Sequence, residues 1–352
     1  MTDPSVSPAP DSFDGETSAP RRRISRAISP LLGIGLSGVF LYLAVRKVDF
    51  VVVRSTLRNA ELAWLIPMLG AILLDFWLRA VRWALLFPPF ARPSRGQTFS
   101  AFLIGGLANN VIAGRVGDIA RAGLIGPLLP EIGTSGALAT VVLERVMDGL
   151  VLLAFLGMAF LLAPLPAWVE RVGAVGILFF VGMLVTLFLI NQRKHSAHSH
   201  SSDGPRTLKS VLYRLLDRFV GGLSALKSKK QFAVLIVLTV VIWLLEALMM
   251  FFGFRALALV VPFIAAIVCL VLLAMGLMFP AAPGYVGTYQ FFLVAALRLY
   301  KVPEGQALAI ALFLNLFVFI VGTVLGLIAM GVSGFKLPSR IEKHIVKSLP
   351  IL

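Results

Sequence analysis

Between Gln231 and Gly253 the chain reads QFAVLIVLTVVIWLLEALMMFFG, with one ionisable side chain, Glu246, near its middle. An apolar run of about 20 residues is what an α-helix needs to cross the hydrocarbon core of a bilayer. Lipid offers the backbone no hydrogen-bond partner, so only helices and closed barrels span it. Further runs of this kind lie near 28–47, 62–90, 134–163, 171–191 and 306–333. Composition agrees: 59% of the residues are hydrophobic and 14% charged, where a soluble domain is about half apolar and a quarter charged. An ordinary soluble domain, a disordered chain, a collagen and a disulfide scaffold are excluded, and the single cysteine, Cys269, can form no internal disulfide. The expected fold is all-α, a polytopic membrane helix bundle. In such a chain the excess of 32 Lys and Arg over 17 Asp and Glu, a net charge of +15, marks loops held near cytoplasmic anionic lipid rather than a nucleic-acid partner.

Residues 1–27, rich in Ser, Pro and acid and followed by no obvious cleavage site, read as a disordered cytoplasmic tail. Residues 28–334 read as a single transmembrane domain, and 335–352 as a basic cytoplasmic tail. Within the domain, 192–208 reads as a flexible cytoplasmic linker. His195, His198 and His200 there lack acidic or thiol companions, so neither a metal site nor a cofactor is expected. Over 209–229, Val211, Leu212, Leu215, Leu216, Phe219 and Leu223 share one helical face opposite Lys and Arg. This is either an interfacial amphipathic helix or a connector packed on the bundle.

Basic residues set the orientation. Arg21, Arg22, Arg23 and Arg26 precede the first span, nine Lys or Arg against two Asp fill 192–230, and Lys336, Arg340, Lys343 and Lys347 follow the last span. All three regions are therefore expected on the cytoplasmic side of the cell membrane, with both termini cytoplasmic. Parity then requires 98–130 to enter and leave on the cytoplasmic side as a re-entrant hairpin. The 258–300 region either re-enters from outside or crosses twice, and the shortness of 285–300 favours the first.

These two regions also repeat. GLANNVIAGRVG from Gly106 and GLMFPAAPGYVG from Gly276 share five of twelve positions at an offset of 170, including Gly114/Gly284 and Gly117/Gly287. Asp75 and Glu246 precede them and Arg145 and Asn315 follow them at nearly the same offset. Two Gly/Pro-broken re-entrant segments in an inverted repeat are the pattern of transporters that bind substrate between repeats. The expected breaks are Gly114 and Gly117 in the first, and Pro280, Pro283, Gly284 and Gly287 in the second.

The remaining signal is charge where lipid disfavours it. Glu144, Arg145 and Asp148 lie near the middle of 134–163. Three such residues cost on the order of 9 kcal/mol on the insertion scale, and the span's apolar side chains return about 6. This face must look into a polar interior, either as an internal ion pair fixing helix register or as a substrate path. Asp75, Arg79 and Arg82 share a face of the second span, and Arg82 is expected to snorkel towards phosphates. Arg115, Asp118 and Arg121 stand beside Asn109 and Asn110 at the first break, where arginine forks suit a phosphate-bearing headgroup. Glu246 reads as an unpaired carboxylate whose natural partner is Arg145 or Arg115. Tyr285, Thr288, Tyr289 and Gln290 are the polar groups expected from the uncharged second break.

Four ordered pieces carry a family resemblance: R-x-x-R-W at Arg79–Trp83, N-N-x-x-x-x-R-x-G-D-x-x-R at Asn109–Arg121, E-R-x-x-D at Glu144–Asp148, and P-x-x-P-G-x-x-G-T at Pro280–Thr288. Together they resemble the flippase-like family typified by the transmembrane region of lysylphosphatidylglycerol synthase. The resemblance covers about residues 30 to 335, with Ala113 and Asp118 where the family usually has Pro and Glu. It implies movement of charged or glycosylated lipids between leaflets. Only about 20 residues follow the last span, so no soluble aminoacyltransferase domain is expected. The expectation is a non-enzymatic lipid translocator whose partners are anionic or glycosylated membrane lipids, with an envelope enzyme or a second copy as a further partner. The alternatives are an intramembrane lipid-modifying enzyme and a non-catalytic partner of a cell-envelope glycosyltransferase.

Overall fold

The structure is a computed structural model that describes residues 35–112, 116–162, 229–278 and 281–335, with a few positions between 171 and 182. The terminal tails, most of the 171–191 span, the 192–208 linker, the 209–229 segment up to residue 228, Gly114, Arg115 and Pro280 lie outside the described residues. Within them the fold is all-helical. In order come α1 (Gly35–Val45), α2 (Phe50–Arg58), α3 (Leu65–Leu86), α4 (Arg95–Val111), α5 (Gly117–Ile125) and α6 (Gly133–Leu162). After the segment around 171–228 follow α7 (Lys229–Ala256), α8 (Phe263–Gly276), α9 (Thr288–Arg298) and α10 (Glu304–Val332). Three of these, Leu62–Leu86 with its leading turn, α7 and α10, are long and apolar enough to cross a membrane.

Local chemistry sets the boundaries. The span expected to reach residue 90 stops at Leu86, because Phe87 is held extended (φ −76°, ψ 145°) before Pro88, and two prolines then remove amide donors. Pro262 and Pro303, both extended, launch α8 and α10. Ser94 and Gln97 form a reciprocal capping box at the start of α4. Helix α2 was not anticipated; it starts where Asp49 Oδ1 accepts the Val51 amide at 2.8 Å.

Each Gly/Pro-interrupted region is a pair of short helices around a break. At 1.5 Å per residue, the 17 residues of α4 rise about 26 Å and the 14 of α8 about 21 Å. The partners α5 and α9, of 9 and 11 residues, rise only about 14 and 17 Å. All four fall short of the roughly 30 Å core. The order long helix, short helix, break, short helix, long helix therefore occurs twice, as α3–α4–α5–α6 and α7–α8–α9–α10.

The halves point in opposite directions. Helices α3 and α7 are antiparallel: the Glu61 amide donates to the Ala256 carbonyl at 2.8 Å near one end, and Gln231 Nε2 to the Leu85 carbonyl at 2.8 Å near the other. Buried apolar side chains form two clusters. One joins the start of α3 (Met68), the end of α6 (Leu156), the end of α7 (Phe254), the start of α10 (Leu308) and the α8/α9 pair. The other joins the end of α3 (Trp83), the start of α6 (Ala137), the start of α7 (Leu235), the end of α10 (Ala329) and the α4/α5 pair. Equivalent long helices therefore run in opposite senses, and each short-helix pair packs at its own end. Helix α8 is buried on nearly every side from Ala265 to Leu273, as an all-apolar helix must be.

Candidate functional site

Between the two apolar clusters lies an ion-pair network. Arg82 Nη1 is 2.6 Å from Asp148 Oδ1, and Arg82 Nη2 is 2.8 Å from Glu144 Oε1. Glu144 Oε2 is 3.0 Å from Arg121 Nη2, which is 3.1 Å from Asp118 Oδ1. Asp118 receives Arg145 Nη2 at 2.8 Å, and Arg145 Nη1 lies 3.7 Å from Asp148 Oδ2. The circuit closes: three arginines alternate with three carboxylates, drawn from α3, α5 and α6. A short arm adjoins it, where Arg79 bonds Asp75 at 2.8 Å on its own helix and Glu246 across on α7. Trp243 joins arm to ring, donating its indole N–H to Asp148 at 3.1 Å while the Arg79 guanidinium lies 5.3 Å from its ring centroid.

Burial divides the network. The Arg82 side chain is fully buried and Glu144 and Asp148 nearly so. Such a set persists only when its charges neutralise one another at close range. Arg82 therefore does not snorkel: two carboxylates on α6 and the Thr239 hydroxyl at 3.0 Å hold it inside. Glu246 is not unpaired: among the described residues its partner is Arg79 rather than Arg145, because antiparallel packing brings α7 against α3, while Arg115 lies outside the described residues. Arg145 and Glu246, at 42% and 32% side-chain exposure, are the accessible members. Arg121 stacks on Trp83 at 4.7 Å, and its Nε and Nη1 have no hydrogen-bond partner among the described residues; nor has Asp75 Oδ1. Buried polar atoms of this kind are capacity for a polar ligand group or water.

A cavity of about 540 Å³ opens onto the network. Asp75, Arg79, Asn109, Asp118, Arg121, Glu144, Arg145, Asp148 and Glu246 line it together with apolar side chains of α6 and α8. Val318 of α10 also reaches it, so both repeats contribute.

The first break is set by a close helix approach. A methyl on Gly117 would collide with the Gly105 carbonyl oxygen, and Asn109 Oδ1 accepts the Gly117 amide at 2.7 Å. Asn110 turns away to Thr323 Oγ1 at 3.1 Å on α10. The second break mirrors the first. Gly287 (φ +88°) donates its amide to Gln290 Oε1 at 2.7 Å and packs against the Ser37 carbonyl of α1. Gly284 (φ +64°) follows Pro283, and its carbonyl accepts Asn315 Nδ2 at 3.0 Å. Thr288 bonds Ser37 at 3.3 Å, Tyr289 is buried, and Tyr285 has positive φ. These four polar residues do not line the cavity; Gln290 and Thr288 serve the local turn and its contact with α1.

Sequence reasoning missed Thr239 and Trp243, and gave Trp83 no role beyond its place in the Arg79–Trp83 motif. The signal for the first two was present: Thr239, Trp243 and Glu246 follow the i, i+4, i+7 spacing of one helical face.

The family described as "Lysylphosphatidylglycerol synthase TM region" matches residues 31–326. A UPF0104 membrane protein of Methanocaldococcus jannaschii is 23% identical over 313 residues, covering 83% of this chain and 90% of its own. A UPF0104 membrane protein of Methanothermobacter thermautotrophicus is 27% identical over 285 residues, covering 76% and 83%. No solved structure matches significantly. With its apolar helices, its paired broken segments and a match over most of its length, the chain belongs to the membrane-protein family of the lysylphosphatidylglycerol synthase transmembrane region.

Proposed function

We propose that the protein carries a phosphate-bearing or glycosylated lipid between the leaflets of the cell membrane, with its headgroup bound at the ion ring. The observation that carries this reading is the cavity shared by two oppositely directed repeats, lined both by the charged network and by apolar side chains. Arg145 supplies an accessible guanidinium and Glu246 an accessible carboxylate, so the lining offers both donors and acceptors. Among the described residues the network holds four guanidiniums (Arg79, Arg82, Arg121, Arg145) and five carboxylates (Asp75, Asp118, Glu144, Asp148, Glu246). Carboxylates exceed guanidiniums by one and each of these guanidiniums already has a carboxylate partner, so an incoming phosphate takes Arg145 by displacing Asp118 rather than by filling an unpaired site. The displaced carboxylate retains Arg121. Exchange of partners around a closed circuit lets a headgroup enter and leave without stranding a buried charge. Rocking of the halves, with the short-helix pairs as re-entrant elements and both termini cytoplasmic, then presents the site to each leaflet in turn.

The test is reconstitution in phosphatidylcholine vesicles carrying headgroup-labelled phosphatidylglycerol and, separately, a labelled glycolipid. The protein should expose inner-leaflet label of at least one of them to an impermeant quencher. Loss of outer-leaflet label alone with both lipids would contradict the proposal. A chemically altered lipid recovered from the vesicles would instead point to a lipid-modifying enzyme.

A further inference from the structure

The cavity does not end at the ion ring. On α6 it is lined in turn by Asp148, Gly149, Leu152, Leu153 and Leu156, a spacing of ones, threes and fours that keeps one helical face. Along that face the lining changes from charged to wholly apolar within a turn. Leu270, Val271, Ala274 and Met275 of α8 line the cavity as well. Gly176 adjoins these side chains: a methyl there would lie 3.6 Å from Met275 Cε and 3.7 Å from Leu153 Cδ2, at ordinary contact distance. From Asp148 to Leu156 the helix rises about 12 Å.

The second half carries no counterpart of the closed ring, and of its equivalent residues Val318 lines the cavity. Adding 170 to Arg82, Arg121, Glu144 and Asp148 gives Phe252, Phe291, Leu314 and Val318. At these four of the six ring positions the second half is apolar, while Asp118 and Arg145 correspond to Thr288 and Asn315, which serve the second break. A bare polar headgroup confined here would set unpaired polar atoms against the apolar lining, which is costly. A headgroup with its chain attached meets a matching surface at each end.

We infer that this slot binds the first carbons of the lipid's hydrocarbon chain, acyl or isoprenoid, so that the cargo enters with part of its tail rather than by the headgroup alone. The inference rests on the proposed function. Met249 and Met275, which line the cavity, are flexible thioethers able to follow chains of different shape.

The test uses the full chain in phosphatidylcholine–phosphatidylglycerol vesicles, with trace lipids bearing a diazirine near the glycerol end of an acyl chain or the phosphate end of an isoprenoid chain. Adducts are mapped after irradiation, and leaflet exchange is measured in parallel. Adducts on Leu152–Leu156 and Leu270–Met275 are expected from at least one probe. They should fall about tenfold in Gly176→Leu, whose side chain takes the place of several methylenes. They should persist in Gly176→Ala, which adds only the tolerated methyl and checks that the helix still packs. The probe that labels identifies the chain type. Adducts confined to outward-facing residues such as Ile320 and Val324, with Arg145→Ala still slowing exchange, would overturn the slot and leave the headgroup site standing. Absence of slot adducts together with no effect of Arg145→Ala would overturn both.

Discussion

Arg82 and Arg145 belong to one ring of charges, yet their surroundings give them different work. Arg82 is fully buried between Glu144 and Asp148. Replacing it with alanine leaves buried Glu144 with Arg121 alone and buried Asp148 with the more distant Arg145, and removal of one partner from such a set costs about 3–5 kcal/mol. Thermal unfolding in detergent should show Arg82→Ala strongly destabilised. Arg145 is 42% exposed to the cavity, and its loss leaves Asp118 with Arg121 and Asp148 with Arg82. Arg145→Ala should therefore melt close to the wild type; equal losses in the two variants would contradict this division. The sequence spacing of Asp75, Arg79 and Arg82 placed them correctly on one face. Their partners were not legible, because Glu144, Asp148 and Glu246 arrive from helices 62 to 167 residues away. Spacing along one helix carries no information about which helix packs against it.

Among the elements, the short-helix pairs depend on glycine at contact points. Gly117 meets the Gly105 carbonyl so closely that a methyl must separate α4 from α5, while Gly70 on α3 faces open space. Gly117→Ala should lower the melting temperature, whereas Gly70→Ala should raise stability by roughly 0.5–1 kcal/mol through helix propensity. Equal behaviour of the two would mean that the close approach does not hold the pair together. The repeat made Gly117 and Gly287 visible as breaks. It did not reveal that both give their amide to a side-chain amide, Asn109 in one case and Gln290 in the other. Nor could it show that Gly105 and Ser37 supply the opposing surfaces, because a close contact is a property of two segments. Helix α2 was missed because its nine residues sit between two stronger apolar runs.

At the scale of the molecule, opposite orientation of the halves makes a topological prediction. Glu131, before α6, and Lys301, before α10, are both exposed and stand at equivalent points of the repeat, 131 + 170 = 301. The sequence contains one cysteine, the buried Cys269, so Cys269→Ser provides a clean background. Single cysteines at 131 and 301 should react with an impermeant reagent from opposite sides, 131 from the cytoplasm. Labelling of both from one side would contradict the inverted arrangement. The polytopic helical fold and the repeat were legible because bilayer crossing and glycine breaks leave long, regular marks in a sequence. The closed circuit of charges was not, since it exists only after two antiparallel halves have met.

The most direct measurement of the central claim compares leaflet exchange by wild-type protein and by Arg145→Ala, in vesicles containing whichever headgroup-labelled lipid the wild type moves. Arg298→Ala serves as a control, since Arg298 pairs with Glu304 outside the cavity. If the headgroup crosses at the ion ring, Arg145→Ala slows exchange at least about tenfold, the effect of losing one charge-assisted contact, while Arg298→Ala exchanges at the wild-type rate. Wild-type exchange by a folded Arg145→Ala protein would contradict the account.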